Sequence, residues 1–104
     1  WQPGPPAVIN DPHWAAFSKT VAAEAGYRVE EAELQMGGED FALYLHHVPG
    51  VFVSIGSASE FGLHHPRFNP DERALFPAAQ YFTLLAERTL QQLTTTPEKA
   101  LSNA

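Results

Sequence analysis

The stretch "VFVSI", Val51 to Ile55, decides how the chain is read. It is almost wholly apolar and lies between Gly50 and Gly56. Five residues are too short for an ordinary helix and suit a buried strand. An extended segment points alternate side chains to opposite faces, so a strand apolar on both faces needs cover on both. This predicts a central strand whose neighbours come in part from outside the chain.

Working outward from it, the N-terminal side holds two helices and a weaker strand. "WQPGPPAVI", residues 1–9, is too rich in proline for a helix interior and reads as an extended linker. "NDPHWAAFSKTVAAEAG" then reads as a helix. Asp11 is the expected N-cap, Pro12 takes the first helical position, and Trp14, Phe17, Val21 and Ala25 share one face. Gly26 can end this helix in the left-handed conformation. "YRVEEAEL", Tyr27 to Leu34, alternates weakly and reads as an edge strand. After Gly37-Gly38, Glu39 and Asp40 are expected in the first turn of a short helix that buries Phe41, Tyr44, Leu45 and Val48 and stops at Pro49-Gly50.

On the C-terminal side, "NPDERALF" predicts a helical turn over 70–75, with Asn69 as cap and Pro70 at its first position. Pro77 is unfavourable inside a helix, so a long helix is expected to start near it. Its buried stripe would be Leu75, Ala78, Phe82, Leu85, Ala86, Thr89 and Leu93. Residues 94–104 read as a polar tail. The order helix-strand-helix-strand-helix predicts an α/β fold class, a segment of a larger sandwich.

Composition narrows the function. The chain has 104 residues, 44% of them apolar, and a formal net charge of −6. A net negative chain lacks the cationic surplus that tracks phosphates, which argues against nucleic acid as partner. No apolar run approaches the length of a membrane span, and the first residues do not resemble a signal peptide. The absence of cysteine excludes disulfides, thiolate zinc sites and thiol catalysis, and fits a cytoplasmic setting. Trp1 in place of an initiating Met suggests a fragment or processed product.

Three patches could carry chemistry. In His64-His65-Pro66 an imidazole could ligate a metal, and at most one of two adjacent rings would reach the same ion. The alternative is a loop pair with local bonds only. Gly37-Gly38-Glu39-Asp40 could hold an anion on backbone N–H groups, or could simply cap a helix. His46-His47 suits a helix end whatever the function. Glu30, Glu31 and Glu33 read as a solvated edge, and His13 as a structural or solvated residue of a first helical turn.

Taken in order, "PPAVINDP", "MGGEDFALYL", "VPGVFVSIGS" and "GLHHPRFNPDERAL" resemble the C-terminal part of the M20 metallopeptidase family. The branch most similar is the amidohydrolases of N-acyl amino acids, such as hippurate hydrolase. The resemblance spans about residues 5 to 93, and the block Leu63 to Leu75 is its most specific part. It implies an α/β catalytic sandwich interrupted by an inserted domain that often dimerises. Residues 1–9 would return from that insertion, and residues 10–93 would form the C-terminal portion of the catalytic domain.

The family's Leu-His-x-Pro motif supplies one histidine ligand to a two-metal centre. Carried over, that ligand is His64, with His65 at the variable position. The Gly-Glu-Asp-Phe turn, here Gly37, Gly38, Glu39 and onward, would lie beside the site. Relatives usually carry serine where this chain has Gly38. The implied chemistry is metal-assisted hydrolysis of an N-acyl amino acid or a peptide-like small molecule, with zinc or manganese as the divalent metal. The implied partners are the remainder of the catalytic domain and, optionally, a second copy. The resemblance assigns no catalytic base to this chain, and Glu39 is expected to support the loop. Two other readings stand beside it. One is a non-catalytic α/β module that self-associates or pairs through exposed sheet edges. The other is a one-chain metal binder using His64 with Glu39 or Asp40.

Overall fold

A computed structural model describes residues 1–95. The elements are α1 (Pro12–Glu24), α2 (Ala42–Leu45), a 3-10 turn (Glu72–Ala74) and α3 (Leu75–Thr95). Among the described residues there is no strand, so the expected α/β alternation is not what this chain forms. A strand is defined by backbone pairing, and neither expected strand finds a backbone partner. Residues 28–34 are exposed and irregular. Residues 51–55 do show the alternating burial of extended chain. Val51, Val53 and Ile55 are half-buried, while Phe52 and Ser54 face outward.

What holds the 51–55 segment is a side chain. The Asn10 carboxamide accepts from Phe52 N–H at 2.8 Å and donates through Nδ2 to Phe52 O at 3.1 Å. It thus satisfies the two backbone groups that a neighbouring strand would otherwise take. Asp11 N–H donates to Gly50 O at 2.9 Å and extends the contact by one rung.

Helix α1 forms as its sequence predicts. Asp11 Oδ1 accepts from Trp14 N–H at 2.9 Å, Pro12 opens the helix, and Gly26 follows it at φ 95°. Ser18 and Val21 are its buried residues. They face α3, where the Tyr81 hydroxyl donates to Ser18 O at 3.2 Å and its ring meets Tyr27 edge-on at 5.7 Å. Burial pushes the Tyr81 phenol above its ordinary pKa. Arg88 pairs with Glu24 at 2.9 Å, and Gln92 Nε2 lies 2.8 Å from His13 Nε2. The start of α1 thus meets α3 through His13 and Gln92, and its end meets the same helix through Glu24 and Arg88.

The buried face of α3 matches the expected one in part: Ala78, Leu85 and Thr89 are half-buried, and Tyr81 and Leu84 join them. Tyr81 is its fully buried residue, at 2% exposure, whereas Leu75 and Phe82 are 68% and 51% exposed. Apolar residues occupy two neighbouring stripes of this helix, and the one that carries Leu75 and Phe82 is exposed. Pro77 is the third α-helical residue, where its missing N–H costs little. Helix α2 is a single turn. Ala42 is its buried residue, and Tyr44 and Val48, expected inside, are exposed. Glu39 and Asp40 precede the helix rather than occupying its first turn.

The total accessible surface is 8674 Å², against about 5,800 Å² for a compact monomer of this mass. Much apolar surface is left uncovered.

Replacing Asn10 by Ala should remove both bonds to Phe52. We expect a loss of about 1–2 kcal/mol, since each exposed bond contributes modestly. Urea unfolding of the two proteins checks this, and an unchanged midpoint would show that the segment is held by packing alone.

Candidate functional site

The loop carrying the two adjacent histidines is closed at its neck. Asp71 N–H donates to Ser57 O at 2.8 Å. One step inward, Asn69 N–H donates to Ser59 Oγ at 3.1 Å, and the Ser59 hydroxyl donates to Phe61 O at 2.7 Å. The two ends are thereby tied together, which makes the segment a compact Ω-type loop. Asn69 was the expected cap of the following helix. The cap is instead Asp71, whose Oδ1 accepts from Arg73 N–H at 2.9 Å. Pro70 accordingly precedes the turn that it was expected to open.

Inside the loop, the His65 backbone, its Nδ1 and one face of its ring have partners, although the residue is exposed and no bond to its Nε2 is seen among the described residues. Its N–H donates to Gly62 O at 3.2 Å, and its carbonyl accepts from Phe68 N–H at 2.9 Å. Its Nδ1 accepts from Arg67 N–H at 3.0 Å. The ring stacks on Phe61, with centroids 4.3 Å apart and planes 11° from parallel. The Arg67 guanidinium also lies over the Phe61 ring, 5.0 Å from its centre.

His64 is different. Its φ is 67°, in the left-handed region that a β-carbon disfavours. Its side chain is exposed. Among the described residues its imidazole makes no hydrogen bond, ion pair or ring contact. An exposed imidazole with both nitrogens unengaged is chemically suited to ligate a divalent metal.

The second patch is built by close backbone approach. A β-carbon on Gly38 would run into Pro5 O, so any side chain there requires the N-terminal segment to shift. Glu39 N–H donates to Pro6 O at 3.0 Å, which docks the end of the N-terminal segment on this turn. The Glu39 carboxylate accepts from Phe41 N–H at 3.3 Å. Gly37 has open space beside it. No hydrogen bond, ion pair or ring contact among the described residues joins the Gly37–Glu39 turn to His64. Nor do three His, Asp or Glu side chains come together among them as a set that could hold a metal. Among the described residues the one-chain metal binder thus has no ligand set of three.

The remaining patches are peripheral. His46 and His47 are exposed at the end of α2, where His47 N–H donates to Tyr44 O at 3.0 Å. Glu30 pairs with Arg28 at 2.6 Å, and Glu31 pairs with Lys19. Residues missed by the sequence reading are Asn10, Ser59, Phe61 and Arg67. They act through contacts with backbone or rings, and no local pattern announces such contacts.

The family model for "Peptidase family M20/M25/M40" matches residues 1–88. The chain belongs to this family. Among its relatives, N-acetylcysteine deacetylase of Bacillus subtilis is 43% identical over 93 residues, covering 89% of this chain and 24% of the relative. N-acetyldiaminopimelate deacetylase of Shouchella clausii is 42% identical over 78 residues, covering 71% of this chain and 20% of the relative. A crystal structure of the Bacillus subtilis YXEP protein, a dinuclear metal binding peptidase from the M20 family, superposes with a TM-score of 0.77 at 44% identity. It covers 83% of this chain and 24% of that protein. The M20 chain thus spans about a quarter of the length of these relatives. No helix among its described residues is long and apolar enough to cross a membrane.

Two predictions follow from the turn and the neck. Gly38→Ala should destabilise by about 1–3 kcal/mol, because the added carbon meets backbone that must move. Gly37→Ala should be close to neutral. Paired urea midpoints check both, and equal midpoints would refute the close approach.

The Arg73 guanidinium holds the Asp71 carboxyl below the usual aspartate range, helped by Arg73 N–H. A depressed folded-state pKa contributes stability above the ordinary aspartate value and loses it as pH falls through the folded value. Acidification should therefore loosen the 3-10 turn and the loop neck. Amide exchange at Arg73 and Asp71 should accelerate in acid relative to the pH trend of α1 amides, and a parallel trend would contradict this.

Proposed function

We propose that this M20 chain is the C-terminal portion of a metal-dependent amidohydrolase, acting on the amide bond of N-acyl amino acids or related conjugates. Residues 10–93 belong to the catalytic domain in this reading, and residues 1–9 enter it from an inserted domain. The polar tail assigned to 94–104 extends beyond the described residues. The relatives' names, deacetylases of N-acetylated amino acids, support the substrate class. Their length supports a site completed by chain that lies outside this sequence. A cytoplasmic setting accords with the cysteine-free composition.

The observation that carries the proposal is the contrast within the histidine pair. Both residues are exposed, but His65 Nδ1 and ring are committed to Arg67 N–H and Phe61, while the His64 ring has no partner among the described residues and sits on a left-handed backbone. His64 would therefore be the metal ligand of this segment, and Gly37, Gly38 and Glu39 would form a supporting turn nearby. Divalent ions, zinc or manganese, would polarise the acyl carbonyl and activate the attacking water. The chain's own part is to present one neutral imidazole on a closed loop. The proton-transferring base comes from elsewhere in the enzyme, since Glu39 is turned onto its own backbone.

The alternative of a non-catalytic module pairing through sheet edges loses its basis, because the described residues form no sheet.

A direct test exchanges the aligned segment of Bacillus subtilis N-acetylcysteine deacetylase for this chain. The exchanged enzyme should hydrolyse N-acetyl amino acids in a metal-dependent way. His64→Ala should lower kcat/KM by about two orders of magnitude or more, as loss of a ligand to a catalytic ion does. A folded exchange protein without activity, or full activity after His64→Ala, would overturn the proposal.

A further inference from the structure

His65 lies next to the proposed ligand, yet its ring is turned to the loop itself. The bond from Arg67 N–H to His65 Nδ1 links residue i to the backbone two positions on, across Pro66. This is the geometry by which Asn and Asp side chains close a turn, and proline at the intervening position favours it. Pro66 itself has no N–H to offer. The loop therefore closes around one ring nitrogen, and the ring is clamped flat on Phe61 at 4.3 Å. The residue immediately before this turn is His64, at φ 67°. A non-glycine residue stays in that region only where its surroundings hold it there.

The geometry points to His65 as a positioning residue: its Nδ1 closes an Asx-like turn over Pro66 that holds His64 in the left-handed conformation and so aims the neighbouring imidazole. This inference rests on the reading of His64 as a metal ligand. It assigns His65 no contact with metal or substrate. With Nδ1 accepting a hydrogen bond, the neutral ring carries its proton on Nε2.

The chemistry of the turn supplies the test. Asparagine can accept from the same N–H through its side-chain oxygen, and alanine cannot. In the exchanged deacetylase, metal affinity is measured by calorimetry with zinc alone, and kcat/KM with an N-acetyl amino acid. His65→Ala should weaken zinc binding about 10-fold to 100-fold, the usual cost of losing a group that orients a ligand. His65→Asn should remain within about 3-fold of the parent, a rescue that follows from turn chemistry. If His65→Asn binds zinc as poorly as His64→Ala, the ring is itself a ligand and the inference is overturned. It is equally overturned if His65→Ala binds like the parent. Unchanged zinc binding in His64→Ala would instead refute the underlying ligand reading. Proton–nitrogen correlation spectra of the histidine rings, taken where they are neutral, add a readout independent of activity. His65 should carry its proton on Nε2, and protonation on Nδ1 would overturn the inference.

Discussion

The two hydrogen bonds between the Asn10 carboxamide and the backbone of Phe52 join parts of the chain that nothing local would bring together. On one side of the clamp, Asp11 both bonds Gly50 O and caps α1. Helix α1 then lays Ser18 and Val21 against α3. On the other side, the segment through Ile55 leads into the closed histidine loop, whose last residue, Asp71, caps the turn that starts α3. Asn10 thus ties the entry of the first helix to the segment feeding the loop. The Tyr81–Ser18 contact ties the first helix to the element leaving it.

This circuit is thin. Few residues are fully buried, and Leu75, Phe76, Phe82 and Leu90 leave an apolar face of α3 in solvent. A chain that contributes part of a site can tolerate that economy if its exposed faces meet the rest of an enzyme. The same logic applies to the chemistry. One exposed imidazole is not a metal centre; under the proposed function the closed loop that presents it would be one component of such a centre.

Legibility in the sequence followed the range of the interactions. Helix α1 could be read because Asp11, Pro12 and Gly26 act within a few residues of one another. The existence of α3 was equally readable. Its buried face was readable in part: Ala78, Leu85 and Thr89 are half-buried as expected, but apolar residues line two stripes, and the buried ring is Tyr81 rather than Phe82. Val51–Ile55 was expected to be a central strand covered on both faces; its burial alternates as in extended chain, but a strand needs a backbone neighbour, and among the described residues Phe52 N–H and C=O meet instead a carboxamide 42 positions away. Asn10 was passed over beside the more obvious cap at Asp11. His64 was singled out through the family resemblance, since residue type alone could not separate it from His65. The separation is a matter of ring contacts and one backbone dihedral, neither of which leaves a pattern in sequence.

The most direct measurement is anomalous diffraction at the zinc edge from crystals of the metal-loaded enzyme that carries this segment. An anomalous peak is expected about 2.0–2.1 Å from a ring nitrogen of His64, with the His65 ring still stacked on Phe61. A metal centre that leaves His64 untouched, or that is bound by His65, would contradict it.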